Sequence, residues 1–357
     1  MFRITKATRV LIRHFRGLAR PTVESAVAVF IGLLIGALFM IASGYDPVTA
    51  YSALFKGAFG SLTALAETLS FATPLMLTAI TFAVGVKTGL FNIGAEGQLY
   101  VGAIGAVAVG GAIALPAGLH IAAATAFAMF FGVLWALPVA ILKIWRGAHE
   151  VISTIMLNWV ARYLVMYIAI YFLARPGSTE KTLATLPSAR YSLLMSGASL
   201  TTVVFVAMAF CIGVYILLWR TKLGYELRLA GTNPDAAHYA GVNTRSAILL
   251  SFVIGGLAAG LAGATQVLGH PPGWCVHAHL GNIIGLGFAG IGIALIGRNN
   301  PIGGIFASVF YGGMRHGGRY MEYYEGVCSE LVVGIQGVII IALATPAILA
   351  ILRRRFK

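Results

Sequence analysis

Apolar runs broken by short polar stretches dominate the chain from Ser25 onward. They fall near residues 25–43, 66–86, 90–112, 119–142, 150–173, 200–219, 247–268, 281–297, 301–314 and 329–351. Most are long enough for a helix of about 20 residues to cross a bilayer. The pattern predicts an all-α fold, a polytopic transmembrane helix bundle of about ten crossings. The runs at 281–297 and 301–314 are short, glycine-rich and separated only by Arg298 to Asn300, so they are expected as half-helices or re-entrant pieces. Three breaks are longer than a turn: 44–65 and 174–199, expected outside, and 221–246, expected inside. The first run reads as a crossing rather than a cleaved signal, because it is long enough to span and no clear small-residue cleavage site follows it.

Composition narrows the class. Of 357 residues, 59% are hydrophobic and only 10% charged, with a mean hydropathy of +0.88. Ordinary soluble domains carry about 25% charged residues, so a soluble enzyme, a disordered chain and a disulfide scaffold are all excluded. Cys211, Cys275 and Cys328 are too few and too far apart for a disulfide framework. The 25 Lys and Arg exceed the 11 Asp and Glu by 14. Arg3, Lys6, Arg9, Arg13, Arg16 and Arg20 make a basic tail over 1–22, and Arg353, Arg354, Arg355 and Lys357 a second over 353–357, flanking a membrane domain over 23–352. With the N-terminus inside, most of the remaining cations also fall in inside segments, which places both termini in the cytoplasm. Basic residues beside apolar spans suit contact with anionic lipid rather than with nucleic acid. The sequence contains no GxxxxGK[ST], so any ATP-driven motor is another chain.

Polar residues inside apolar runs are the candidate chemistry. Phe91-Asn92-Ile93-Gly94-Ala95-Glu96-Gly97-Gln98 places a carboxylate, an Asn and a Gln where a span begins. A charge at that depth needs a partner or a watery cavity. If the segment is helical, Asn92, Glu96 and Tyr100 share a face; if the glycines break it, freed backbone lines a cavity. It is either a substrate-lining element or an interhelical clamp with Lys87 opposite Glu96. Glu150, Thr154, Asn158 and Arg162 recur every four residues, a stripe that must face the bundle interior and serves either the pathway or interhelical adhesion, with Arg162 answering a carboxylate. Within 221–246, Asn233 and Pro234 read as an N-cap and first turn, giving a short helix from Pro234 to Ala240 that ends at Gly241. Such a cytoplasmic helix is a lever for a soluble partner. His270, Cys275, His277 and His279 match no common zinc spacing; no metal or cofactor is expected, and the turn reads as a solvated loop.

These segments, with Glu150-Val151-Ile152-Ser153-Thr154-Ile155-Met156-Leu157-Asn158, the loop 231–241 and Gly287-Phe288-Ala289-Gly290-Ile291 following in order, resemble the membrane permease of bacterial ABC importers for nucleosides and simple sugars. The resemblance runs from about Tyr45 to the C-terminus. It implies a type II importer permease in the inner membrane that catalyses nothing itself. Two permease chains, often paralogues, form the pathway; two ATPase subunits dock beneath; a periplasmic or lipoprotein solute-binding protein delivers the solute. A nucleoside or nucleobase-like compound is the expected cargo, with a sugar importer or a proton-coupled secondary transporter as the alternatives. Phe91, Asn92, Glu96, Gln98, Glu150, Asn158 and Phe288 are the expected pathway residues. Asn233, Asp235, Ala236, Ala237 and Gly241 match the ATPase-coupling loop, with Asp235 where the family usually has Glu. Ala289 and Gln266 also depart from the family's pattern, each standing where a carboxylate is common.

Overall fold

Backbone N–H and C=O groups find no water in hydrocarbon, so each apolar run must close its own hydrogen bonds as a helix. The computed structural model describes residues 29–178 and 180–355, with side chains as far as Ala342. The expected basic tail over 1–22, the first residues of the first crossing, and the end of the tail over 353–357 lie outside the described residues. The described helices are α1 (Val29–Ala42), α2 (Pro47–Phe59), α3 (Leu62–Lys87), α4 (Ala95–Ala112), α5 (Leu119–Arg146), α6 (Glu150–Tyr171), α7 (Val203–Arg220), α8 (Lys222–Thr232), α9 (Pro234–Tyr239), α10 (Thr244–Leu268), α11 (Leu286–Ile296), α12 (Pro301–Glu325) and α13 (Ser329–Arg355). Among the described residues there is no extended strand, only isolated bridges such as Lys181 with His277. The fold is an all-α polytopic bundle. α3, α5, α6, α7 and α10 are long and apolar enough to cross a membrane, and α11 is a half-length apolar helix.

Three elements differ from the sequence reading. The break at 44–65 contains α2, started by Asp46, whose carboxylate accepts from the Val48 N–H (3.1 Å) with Pro47 following as the first helical residue. The break at 221–246 contains α8 as well as α9. Its start is capped by the Thr221 hydroxyl, which accepts from the Gly224 N–H (3.1 Å). The ninth run is not short: α12 continues through Arg315 and Arg319, expected in an outside turn, to Glu325.

The chain divides into two compact units, residues up to Leu54 with those from Gly318, and residues 55–317. In the first, the Tyr51 hydroxyl donates to the Leu33 carbonyl (2.6 Å), pinning α2 to α1. The second holds the large core, in which α3, α4 and α10 are buried almost all round. α10 packs between α4 and α5. Lipid offers no hydrophobic drive for that packing, so close approach of small residues supplies it. On the α5 side, a Cβ on Gly256 would stand 2.8 Å from the Gly132 carbonyl oxygen, and one on Gly260 would stand 2.8 Å from the Met129 Cα. Gly260→Val therefore forces α5 and α10 apart. The expected cost is about 1–3 kcal/mol, read as a lower unfolding temperature of the detergent-solubilised chain; an unchanged temperature would mean the crossing has slack.

Candidate functional site

The site begins where α3 ends. Thr88 and Gly89 turn the chain, the Leu90 N–H donates back to the Gly85 carbonyl (2.9 Å), and residues 90–94 run non-helically alongside α3. Asn92 shapes this stretch: its Oδ1 accepts from the Gly94 N–H (3.0 Å) and from Gln98 Nε2 (3.3 Å). α4 then starts inside the bundle at Ala95. Of the two conformations open to the sequence, the chain thus takes the broken one. Asn92 lies before the helix and shares no helical face with Glu96 and Tyr100.

Glu96 sits in the first turn of α4 and is 2% exposed. Its carboxylate accepts from the Gly287 N–H (2.6 Å), the Phe288 N–H (3.2 Å), the Gly285 N–H and the Tyr100 hydroxyl. The three N–H donors belong to the start of α11. Its N-cap, Gly285, has no side chain to offer, so the orphan donors of that first turn are met from 189 residues away in sequence. The carboxylate lies between two helix N-termini, where the aligned peptide dipoles favour negative charge. Lys87 is not its partner; the ammonium lies over the Trp219 ring, 5.8 Å from its centroid.

The polar stripe of α6 holds the same stretch from the other side. Asn158 Oδ1 accepts from the Gly97 N–H (2.9 Å), and its Nδ2 donates to the Ile93 carbonyl (3.0 Å). Glu150 accepts from the Phe91 N–H (3.4 Å) and pairs with Lys143 (2.8 Å). Arg162 answers no carboxylate among the described residues; its guanidinium stands over the Trp159 ring at 5.5 Å. Asn158 lies eight residues into α6, so this junction is about 12 Å from the start of that helix.

Of the residues expected on a pathway, Asn92, Glu96, Gln98, Glu150 and Asn158 are buried and hydrogen-bonded, whereas Phe91 (51%) and Phe288 (49%) are half exposed. Asn92 Nδ2 and Gln98 Oε1 are buried without a partner.

At the α8–α9 end, Asn233 caps α9 by accepting from the Ala236 N–H (3.0 Å), Ala237 is fully buried, and Gly241 takes the left-handed conformation (φ +76°) that stops the turn. Asp235 and Ala236 are exposed on its first turn. Sequence reading missed Gly231. A Cβ there would lie 2.6 Å from the Gly89 nitrogen, so α8 bears directly on the turn that opens the site. A glycine in the last turn of α8, next to Thr232, was the available signal.

At the opposite end, Arg175, Lys181, Gln266, His270, Cys275 and His277 line a cavity of about 400 Å³. Burial, then Lys181 and His279, hold His277 below its usual pKa. No three His, Cys, Asp or Glu side chains among the described residues converge as metal ligands.

A multi-pass bundle with a helix that starts within it is an architecture found in membrane transporters. The chain belongs to the family described as branched-chain amino acid transport system/permease component, which matches residues 64–344. It is 37% identical to the guanosine ABC transporter permease protein NupP of Bacillus subtilis (strain 168), over 89% of this chain and 92% of that one. It is 31% identical to the nucleoside ABC transporter permease protein NupB of Lactococcus lactis subsp. cremoris (strain MG1363), over 95% and 94%. It is also 31% identical to the glucose ABC transporter permease protein TsgB13 of Haloferax volcanii, over 89% and 86%.

Removing the Glu96 carboxylate strips the start of α11 of its acceptor. Glu96→Ala is expected to cost about 1–3 kcal/mol for each main-chain N–H left without an acceptor, and Glu96→Gln somewhat less, because one carbonyl oxygen remains while the amide N–H₂ faces other donors. Thermal unfolding in detergent reads this; wild-type stability for both variants would show that those N–H groups have another partner.

Proposed function

We propose that this chain is a permease subunit of an ATP-binding-cassette importer that carries a nucleoside or nucleobase-like compound inward across the bacterial plasma membrane, with both termini in the cytoplasm. The observation that carries the reading is the similarity to the guanosine and nucleoside permease proteins across about nine-tenths of each chain. The similarity to a glucose permease protein supports a sugar importer as the second reading. In either case this chain forms the pathway and a separate ATPase hydrolyses ATP. Its partners are two ATPase subunits, a second permease that is a paralogue, and a solute-binding protein on the outer face.

The buried polar groups then have a positioning role. Asn92, Gln98, Glu150 and Asn158 set the path of residues 90–97, and Glu96 sets the start of α11. Phe91 and Phe288 are the members of the set with faces open to a solute. Residues Asn233 to Gly241 form the coupling element: α9 docks on the ATPase through its exposed first turn, and α8 passes the push to Thr88 and Gly89 through Gly231. Closure of the ATPases tilts the bundle as a rigid body.

Purifying the tagged chain in mild detergent is expected to bring an ATPase and a shorter permease with it. Cells carrying the intact complex should take up labelled guanosine and stop when ATP is depleted while the proton gradient is kept. A lone chain, with uptake that follows the proton gradient instead, would sink the importer reading. Gly231→Ala should leave the ATPase bound and lower uptake several-fold; full uptake would remove α8 from the coupling route.

A further inference from the structure

The edge of the buried stripe on α6 carries a group that the clamp does not use. Arg162 is the thirteenth of 22 residues in this spanning helix, about 14 Å from the nearer end at 1.5 Å per residue. Snorkelling to the interface rescues cations near helix ends; from this depth an arginine does not reach water. Its Nε is buried without a hydrogen-bond partner, and no carboxylate among the described residues lies within ion-pair distance. Its electrostatic neighbour is the Tyr100 hydroxyl, which is already bonded to Glu96. Glu96 in turn is occupied by the start of α11.

Trp159 joins Arg162 and Tyr163: it is one turn before Arg162, whose guanidinium stands over its ring, and one turn before Tyr163. Trp159 and Tyr163 are 52% and 63% exposed, and their rings stack on one another with centroids 6.4 Å apart and planes 24° apart. Aromatic belts sit at membrane interfaces, whereas this pair lies near mid-depth. Hydrocarbon satisfies neither a guanidinium nor a phenol hydroxyl. The face therefore meets something polar as well as flat.

We infer that Trp159, Arg162 and Tyr163 form a station in the solute pathway that stacks a heterocyclic base on the two rings and hydrogen-bonds its edge through the Arg162 fork. The inference rests on the importer reading above and names the feature of the cargo that this chain itself recognises. A planar π-face suits the rings whatever the base. The fork prefers two adjacent acceptors, as on the O6/N7 edge of guanine or hypoxanthine; adenine offers an acceptor beside a donor there. The station thus favours 6-oxopurine nucleosides.

The test is uptake of labelled guanosine, inosine and adenosine by cells carrying the complete complex, with co-purification of the second permease and the ATPase as the control for assembly. Trp159→Ala is expected to lower uptake of all three about tenfold or more, with Trp159→Phe restoring most of it. Arg162→Lys, which keeps the charge and loses the fork, is expected to lower guanosine and inosine uptake about tenfold relative to adenosine. Wild-type uptake by both Trp159→Ala and Arg162→Lys would overturn the inference and leave the importer reading intact. Loss of the second permease from the purified variants would also overturn it, assigning this face to the subunit interface. A wild-type complex that takes up no nucleoside overturns the importer reading for nucleosides, and the station with it.

Discussion

A helix that begins inside a bundle, away from either membrane surface, presents its first-turn N–H groups where no water takes them. That constraint governs the centre of this permease. α11 starts within the bundle with a glycine at its cap position, and a carboxylate from the start of α4 supplies the missing acceptors. An isolated ionised carboxylate buried to this extent is costly. Three main-chain donors, a tyrosine hydroxyl and the N-terminal ends of two helices reduce that cost. The arrangement resembles the way discontinuous helices aim their N-termini at an anionic solute, except that here the anion belongs to the protein.

The rest of the site follows from α4 starting late. To begin α4 at Ala95, the chain must run unhelically from Thr88 to Gly94, and each polar backbone group it frees needs an answer. Gly85 answers Leu90, Glu150 answers Phe91, Asn158 answers Ile93 and Gly97, and Asn92 answers Gly94. The α6 stripe is therefore read best as a backbone template. At its lower edge the same stretch touches α8 through main-chain atoms alone, with no side chain between Gly231 and Gly89. Such a contact has no rotamers to absorb motion, so in the proposed coupling route a displacement of α8 would bear directly on the start of the site.

Much of this was visible in the sequence. The Glu96 and Asn158 positions declared themselves as polar residues in apolar runs, and Asn233-Pro234 announced α9 to within a residue. The all-α class followed from run lengths. Two helices escaped for different reasons. α2 had a readable start in Asp46-Pro47 but too little apolar length to register as a crossing. α8 is weakly apolar, so a search for spans passes over it. α12 was cut short because glycines and arginines after Met314 read as a loop, whereas the helix continues through them. The partner of Glu96 was beyond reach in principle. Periodicity is a local signal, and it carries no information about which of several glycine-rich segments will close on a carboxylate 189 residues away. Lys87 was the nearest cation in sequence; the fold gave it to an indole instead.

The Glu96 clamp grips amide hydrogens, which every residue except proline possesses. It is selective at two of the positions it holds: a Cβ on Gly287 would run into the Glu96 backbone, and Gly285 holds a left-handed φ of +83°, so of the three residues whose N–H is held only Phe288 is free to vary its side chain. Phe288 points its ring outward while its N–H is held. The scaffold and the surface it displays are consequently inherited on separate terms. Ring for aliphatic can be exchanged at Phe288 without loosening the joint, so under the proposed pathway a lineage is free to retune that one position while keeping the wall in place.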